Sequence, residues 1–311
     1  MNAIANGPIA REMPAKRHSP VRRAVILVAT DGSERSHAAY TAAELIAAQT
    51  HARVHVLSVV EPFPPVAEIP GTTIPTPGVE ESTKDALRAD MVEQLLTRGR
   101  LGRWSTEILV GKPARVIAEV AKEREVDLII IGAGQHGMID RLLGEETSSN
   151  LARVVQRPVL VASPSLVRLP RRVILALDLD QSDRGELVSA LELLGSPEEV
   201  SVVHVTPRSE SFGIDWAEFD DEYRGDVARA YGELVAALAS LPGVRPTLAI
   251  EHGEAAREIN RFAERNAADL IVLGVKRRSP FSVAPGAGIA LKVARSAGCS
   301  VLLVPKHRSA F

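Results

Sequence analysis

Between Asp127 and Ser149 the chain reads DLIIIGAGQHGMIDRLLGEETSS. An apolar run ends in Gly132, a Gly132-x-Gly134-x2-Gly137 string follows, and Gly144 precedes the hydroxyls of Thr147, Ser148 and Ser149. Glycines after a strand let main-chain N–H groups crowd around an anion, and a helix starting there adds partial positive charge. The chemistry to expect is phosphate binding.

Two phosphate-binding classes fail on position. A dinucleotide fingerprint follows the first strand of its unit and needs an acidic residue at the next strand end, about 20 residues on. Here the string follows the fourth strand of its unit, and the chain after it ends in LARVVQRP without such an acid. An oxidoreductase is therefore the least favoured reading. No GK[ST] loop follows any strand. Catalytic assemblies are equally hard to find. The eight histidines show no HExxH spacing. Cys299 is the only cysteine and sits among small and apolar residues, as a buried thiol would. Ser33 follows a strand without the GxSxG elbow. His136 lies in the glycine loop, where an exposed loop histidine and a phosphate contact are both open readings. The chain reads as non-catalytic, with slow ATP hydrolysis left open.

The chain has 311 residues, enough for two domains, and a net charge of −2 that creates no global attraction to nucleic acid or an acidic membrane. No apolar run approaches the roughly 18–20 residues of a bilayer span, and the amino terminus lacks a signal-peptide core. With a single cysteine, a reducing, cytoplasmic setting is expected. Residues 1–23 carry Arg11, Lys16, Arg17, Arg22 and Arg23 against Glu12, a solvated arm or one that binds a phosphate or partner.

The chain is written twice. VDLIIIGAG is answered by ADLIVLGVK, and RPVLVA by CSVLLVP. Asp127 to Asp269, Gly111 to Gly253 and Pro158 to Ser300 share an offset of 142, and Asp31 to Asp178 one of 147. Each copy alternates β-branched apolar runs (Val25–Thr30, Val54–Val60) with helical stripes such as Ala38/Ala42/Leu45/Ile46, Leu87/Met91/Leu95 and Leu151/Val154/Val155. The second copy has Leu187/Leu191/Leu194, Val227/Leu234/Val235/Leu238 and Ile259/Phe262/Ala263. Such alternation implies an α/β protein with two tandem, doubly wound, five-stranded parallel sheets. The expected limits are an arm at 1–23, domain 1 at 24–163, a linker at 164–171, domain 2 at 172–306 and a tail at 307–311. The aperiodic stretch Pro62–Thr83, with six prolines, is expected to be a loop of undefined role.

Four motifs in order, ILVATDGSERS, VLSVVEP, VGKPARVIAEVA and DLIIIGAGQHG…LLGEETSSNLARVVQRPVLV, resemble those of the universal stress protein family. The resemblance covers nearly all of 24–163 and, more faintly, 171–306. It implies a nucleotide-binding α/β fold in stress-response proteins, some of which bind ATP. Carried over, Asp31 would bond the ribose or adenine side, Val59 would offer backbone atoms to adenine, and Gly111 would leave room for the base. Gly134 and Gly137 would bring N–H groups to the phosphates, with Gly144 and Thr147 closing the loop around ATP and its Mg. Asp31 and the glycines could equally serve only to cap a helix and turn the chain.

The family pattern is G-x2-G-x9-G-[ST], whereas only Met138–Leu143 separate Gly137 from Gly144 here, and Glu145 stands where a hydroxyl belongs. A carboxylate about 4 Å from a phosphate charge costs about 1–4 kcal/mol, depending on the effective dielectric. Thr147, Ser148, Ser149 and Arg141 could compensate, or Glu145 and Glu146 could simply complement a helix dipole. In the second copy Asp178 persists and His204-Val205 falls in the adenine strand, but Arg277 replaces the second loop glycine and Ala287 the hydroxyl. That copy reads as degenerate, with Lys276, Arg277 and Arg278 as a basic loop that Asp215–Tyr223 could face. The resemblance also implies an intrachain pseudo-dimer paired through Val159–Ala162 and Val301–Val304, with a homodimer possible. Two functions follow: an adenine-nucleotide sensor or regulator, or a nucleotide-free interaction scaffold.

Overall fold

The computed structural model describes residues 23–62, 79–133, 156–179, 184–206, 219–276 and 286–306. The first half contains β1 (Val25–Thr30), a 3-10 turn (Glu34–Ser36), α1 (His37–Thr50), β2 (Arg53–Val60), α2 (Val79–Thr97), β3 (Ser105–Val110), α3 (Pro113–Glu123), β4 (Leu128–Gly132) and β5 (Val159–Ala162). The second half contains β6 (Arg172–Ala176), α4 (Gly185–Leu193), β7 (Glu199–Thr206), α5 (Phe219–Leu238), β8 (Thr247–His252), α6 (Ala255–Arg265), β9 (Leu270–Lys276), α7 (Gly286–Ser296) and β10 (Ser300–Lys306).

All ten strands form one sheet in the order β3-β2-β1-β4-β5-β10-β9-β6-β7-β8. Neighbours within each half are parallel; β5 and β10 pair antiparallel, with Val301 opposite Val161 and Leu303 opposite Val159. The two last strands thus join the halves edge to edge and leave neither as an open edge. Both faces of the sheet are covered. Leu27, Ala29, Leu57 and Val59 pack under α3 on one face, and Ile26, Val28, Val54 and Val56 under α1 and α2 on the other. Burial on both faces explains why all six residues of β1 are buried, five of them apolar, without alternation.

The duplication extends to hydrogen bonds. The Asp127 carboxylate accepts the N–H of Val25 at 2.8 Å, and Asp269 accepts that of Arg172 at 2.9 Å. Each clamp ties the start of a fourth strand to the start of its first. Pro113 opens α3, where a missing N–H costs nothing. The stripe residues Met91, Leu95, Ile117, Leu191, Leu234 and Ile259 are buried as periodicity requires.

One boundary differs from expectation. Val79–Thr83, assigned to the long loop, already belong to α2. Glu80 and Glu81 acidify its first turn, and Lys84 closes on Glu80 at 2.8 Å, so local charge starts the helix where apolar periodicity is silent. The rest of that loop from residue 63, and the stripe Leu151/Val154/Val155, lie outside the described residues.

Candidate functional site

The strand order sets the place of the site. From β1 the chain winds to β2 and β3 on one side, then returns to β4 and β5 on the other. The crossovers diverge between the carboxyl ends of β1 and β4, and that crevice is where open α/β sheets take ligands. Asp31 follows directly on Thr30 at the end of β1, and Ala133 on Gly132 at the end of β4. Val59 near the end of β2 and Gly111 just beyond β3 complete the edge. The fold therefore brings Asp31, Val59 and Gly111 to one end of three adjoining strands. Gly134, Gly137, Gly144 and Thr147 lie outside the described residues, as does His136. Gly132, first in the glycine string, is a ladder residue of β4 opposite Ala162.

Asp31 organises its own turn. Its Oδ1 accepts the Ser33 N–H at 3.1 Å and the Ser33 hydroxyl at 2.6 Å, while Thr30 Oγ1 accepts the Gly32 N–H at 3.1 Å. Gly32 has φ +73°, a conformation its Asp-Gly-Ser context favours. Ser33 is thus a donor to Asp31 in a turn. Helix α2 closes over this turn: a Cβ on Gly32 would stand 3.0 Å from Leu87 Cδ2 and 3.5 Å from Asp90 Oδ2. Burial raises the Asp90 carboxyl above the usual range; the His37 side chain opposes this, and the charges of Glu93 and Asp31 reinforce it. Its buried Oδ2 has no hydrogen-bond partner among the described residues. Asp31 and Asp90 thus bring two carboxyl groups to this end of the sheet, oxygens that suit hydroxyl or amino donors better than an anion. Asp90 was not legible in sequence, because only helix docking brings it to Asp31.

Val59 buries its side chain, but its strand overruns β1. The β1 ladder stops at Thr30 opposite Ser58, whereas the β3 ladder continues to Val60 opposite Val110. The main chain of Val59 and Val60 therefore extends past the register of β1. Gly111 donates its N–H to the Val60 carbonyl at 2.9 Å and has φ +153°. A Cβ there would meet Val116 Cγ2 at 2.8 Å, so the docking of α3 by itself demands glycine. Gly253 repeats this with φ +146° and Glu258 Cγ at 3.0 Å. The packing role is common to both halves.

The second half carries a buried histidine at the matching strand end. By ladder register His204 occupies the place of Ser58. Its Nδ1 lies 3.0 Å from the Leu177 carbonyl and its Nε2 2.5 Å from the Tyr223 hydroxyl, so Nδ1–H donates and Nε2 accepts. The rings lie 5.7 Å apart. Tyr223, the last residue of the acidic strip, is carried by α5 over the end of β7, where its ring packs on His204. Arg277 and Arg278 lie outside the described residues. The cavity at the ends of β6 and β9, beside Asp178, Arg184 and Gly274, is only about 40 Å³. Small-molecule sites usually need about 300–1,000 Å³.

Other candidates resolve simply. Cys299 is half-buried, and burial first, then the Asp269 charge, push its thiol up to about 11, away from nucleophilic reactivity. His51 and His55 stand four apart, but His51 ends α1 at φ +54° while His55, in β2, bonds Ser105 at 2.8 Å and Glu107 at 3.1 Å. Among the described residues no group of three or more side chains could hold a metal ion, and no helix is long and apolar enough to cross a membrane.

Comparison with known proteins agrees with this architecture. Over 141 residues the chain is 30% identical to a universal stress protein of Methanocaldococcus jannaschii, covering 44% of this chain and 79% of that one. It is 28% identical over 158 residues to the stress response protein NhaX of Bacillus subtilis, covering 44% and 95%. Among solved structures, a universal stress protein from Archaeoglobus fulgidus aligns over 91% of this chain and 96% of its own, with a TM-score of 0.57 at 16% identity. A functionally unknown protein from Pseudomonas aeruginosa aligns over 91% and 92%, with a TM-score of 0.56 at 19% identity. These two likenesses establish the fold. The profile of the Universal stress protein family matches residues 23–163 and again 170–305, so the protein belongs to the universal stress protein family, in a tandem arrangement.

Proposed function

We propose that this protein is a non-catalytic stress-response regulator whose first half, residues 24–163, binds an adenine nucleotide, with ATP and Mg as the expected form. One observation carries the reading: Asp31 at the end of β1 and the overrunning main chain of Val59 on neighbouring β2 share the carboxyl edge of the sheet with the crevice between β1 and β4, and the glycine string follows β4 in sequence. The residues present suit the ligand. The Asp31–Asp90 end offers acceptors to ribose or the base amino group, and the phosphates go to the glycine-rich stretch, with Gly134, Gly137, Gly144 and Thr147 as its contacts. The second half, residues 172–306, keeps Asp178 but has only a small cavity at the ends of β6 and β9, and serves as a partner domain. The β5–β10 pairing supports reading the chain as an intrachain pseudo-dimer, open to homodimerisation, that acts in the cytoplasm.

Mass analysis of small molecules released from the heat-denatured protein tests this directly. The expected result is near-stoichiometric ATP or ADP, together with a rise in Tm on adding millimolar Mg-ATP. The rise is expected to shrink in Asp31→Ala and Gly137→Asp and to persist in Arg277→Asp. Absence of both nucleotide and Tm shift leaves the nucleotide-free scaffold as the function.

A further inference from the structure

A concentration of unneutralised charge lies at the opposite end of the same sheet. A cleft of about 520 Å³ opens at the amino ends of β2 and β3, lined by Arg23, Arg53, Arg100, Arg103, His51 and Trp104, with Glu44 as its one acid. A hollow of about 250 Å³ adjoins it, sharing Arg53 and bounded by Arg124. Glu44 is already engaged by Arg98 at 3.0 Å and Arg100 at 3.2 Å, and Glu107 by Arg124 at 2.7 Å. Arg23, Arg53 and Arg103 are exposed and make no ion pair among the described residues. A surplus of three guanidinium groups in one concavity is unexpected in a chain whose net charge is −2.

The cleft is built on firm supports. Arg100, Arg103 and Trp104 come from a tight turn after α2, closed by Arg100 N–H to Leu95 O at 2.7 Å and Trp104 N–H to Arg100 O at 3.2 Å. Arg53 opens β2, with its N–H on the Ala24 carbonyl at 2.8 Å. The Trp104 ring lies parallel to buried Tyr40, at 4° and 6.5 Å, and Arg98 covers the Tyr40 ring at 5.6 Å. Guanidinium forks match phosphate oxygens, and a fixed indole gives a flat ring an apolar wall.

We infer that this cleft is a second ligand site, distinct from the crevice at Asp31, that takes a small polyphosphorylated molecule: Arg23, Arg53 and Arg103 hold the phosphates and Trp104 lines the place of a flat ring. Calorimetric titration of the full chain with inorganic tripolyphosphate tests the anion half. Binding is expected to weaken about tenfold or more in Arg53→Glu/Arg103→Glu, whose fold is checked by circular dichroism, and to fall between 50 and 200 mM salt. It is expected to be unchanged in Gly137→Asp. Absence of tripolyphosphate binding, binding indifferent to the two arginines, or binding lost in Gly137→Asp overturns the site. The ring half is tested with ADP in the Gly137→Asp background. Trp104→Ala is expected to weaken ADP while leaving tripolyphosphate unchanged; an equal effect on both removes the ring from the assignment.

Discussion

The Asp127 carboxylate holds the main-chain N–H of Val25 at 2.8 Å across 102 residues of sequence. The contact pins the amino end of β4 to that of β1, and so sets the register of the crevice that opens at their carboxyl ends. Asp269 does the same for β6 and β9 through Arg172.

Removing this acceptor leaves a half-buried N–H unsatisfied. Asp127→Ala is expected to lower unfolding stability by about 1–3 kcal/mol, read from urea denaturation. Asp269→Ala should cost less, because its partners at Arg171 and Arg172 are exposed to water that can replace the carboxylate. Equal losses would show that burial does not set the cost.

Gly111 is expected to resist substitution for reasons of packing. Gly111→Ala combines a positive φ with a 2.8 Å approach to Val116 Cγ2, and should destabilise by about 1–3 kcal/mol. Adding Val116→Ala removes the clash but not the dihedral strain, so the double variant should recover part of the loss attributed to Gly111→Ala in a double-mutant cycle. Full recovery would mean that the dihedral costs nothing.

Asp90 is expected to be held at the expense of stability. Its carboxyl is raised by burial, so the folded state keeps a proton that the unfolded state releases. Any contribution to stability from that proton is full below the unfolded pKa and fades as pH rises through the folded value. Asp90→Asn should therefore raise Tm at pH 7 and flatten the Tm profile across the upper carboxylate range. A lowered Tm at pH 7 would contradict this account.

In the second half, Tyr223→Phe leaves His204 Nε2 without its donor. A loss of about 1–2 kcal/mol is expected, with coupling to His204→Ala in a double-mutant cycle. Additive effects would show that the 2.5 Å contact carries no energy.

Helix α2 shows how far local pattern carries. Met91 and Leu95 betray its buried stripe, but its first turn, built on Glu80, Glu81 and Lys84, carries no apolar period that marks it as helix. Asp31 was legible as a strand-end acid, since Val25–Ala29 is an unbroken apolar run; its neighbour Asp90 was not, because it lies far along the chain and only docking joins them.

Sequence alone determined the doubling of the unit, the alternation of strand and helix, and the placing of Asp31, Val59 and Gly111 at strand ends. These follow from periodicity and offsets, which act over a few residues or repeat in register. Tertiary structure alone decided the antiparallel sense and register of the β5–β10 join, the packing of Tyr223 on His204, and the gathering of Arg23, Arg53 and Arg103 around one cleft. Such meetings depend on which faces bury against one another, and that choice belongs to the assembled sheet, not to any local stretch of the chain.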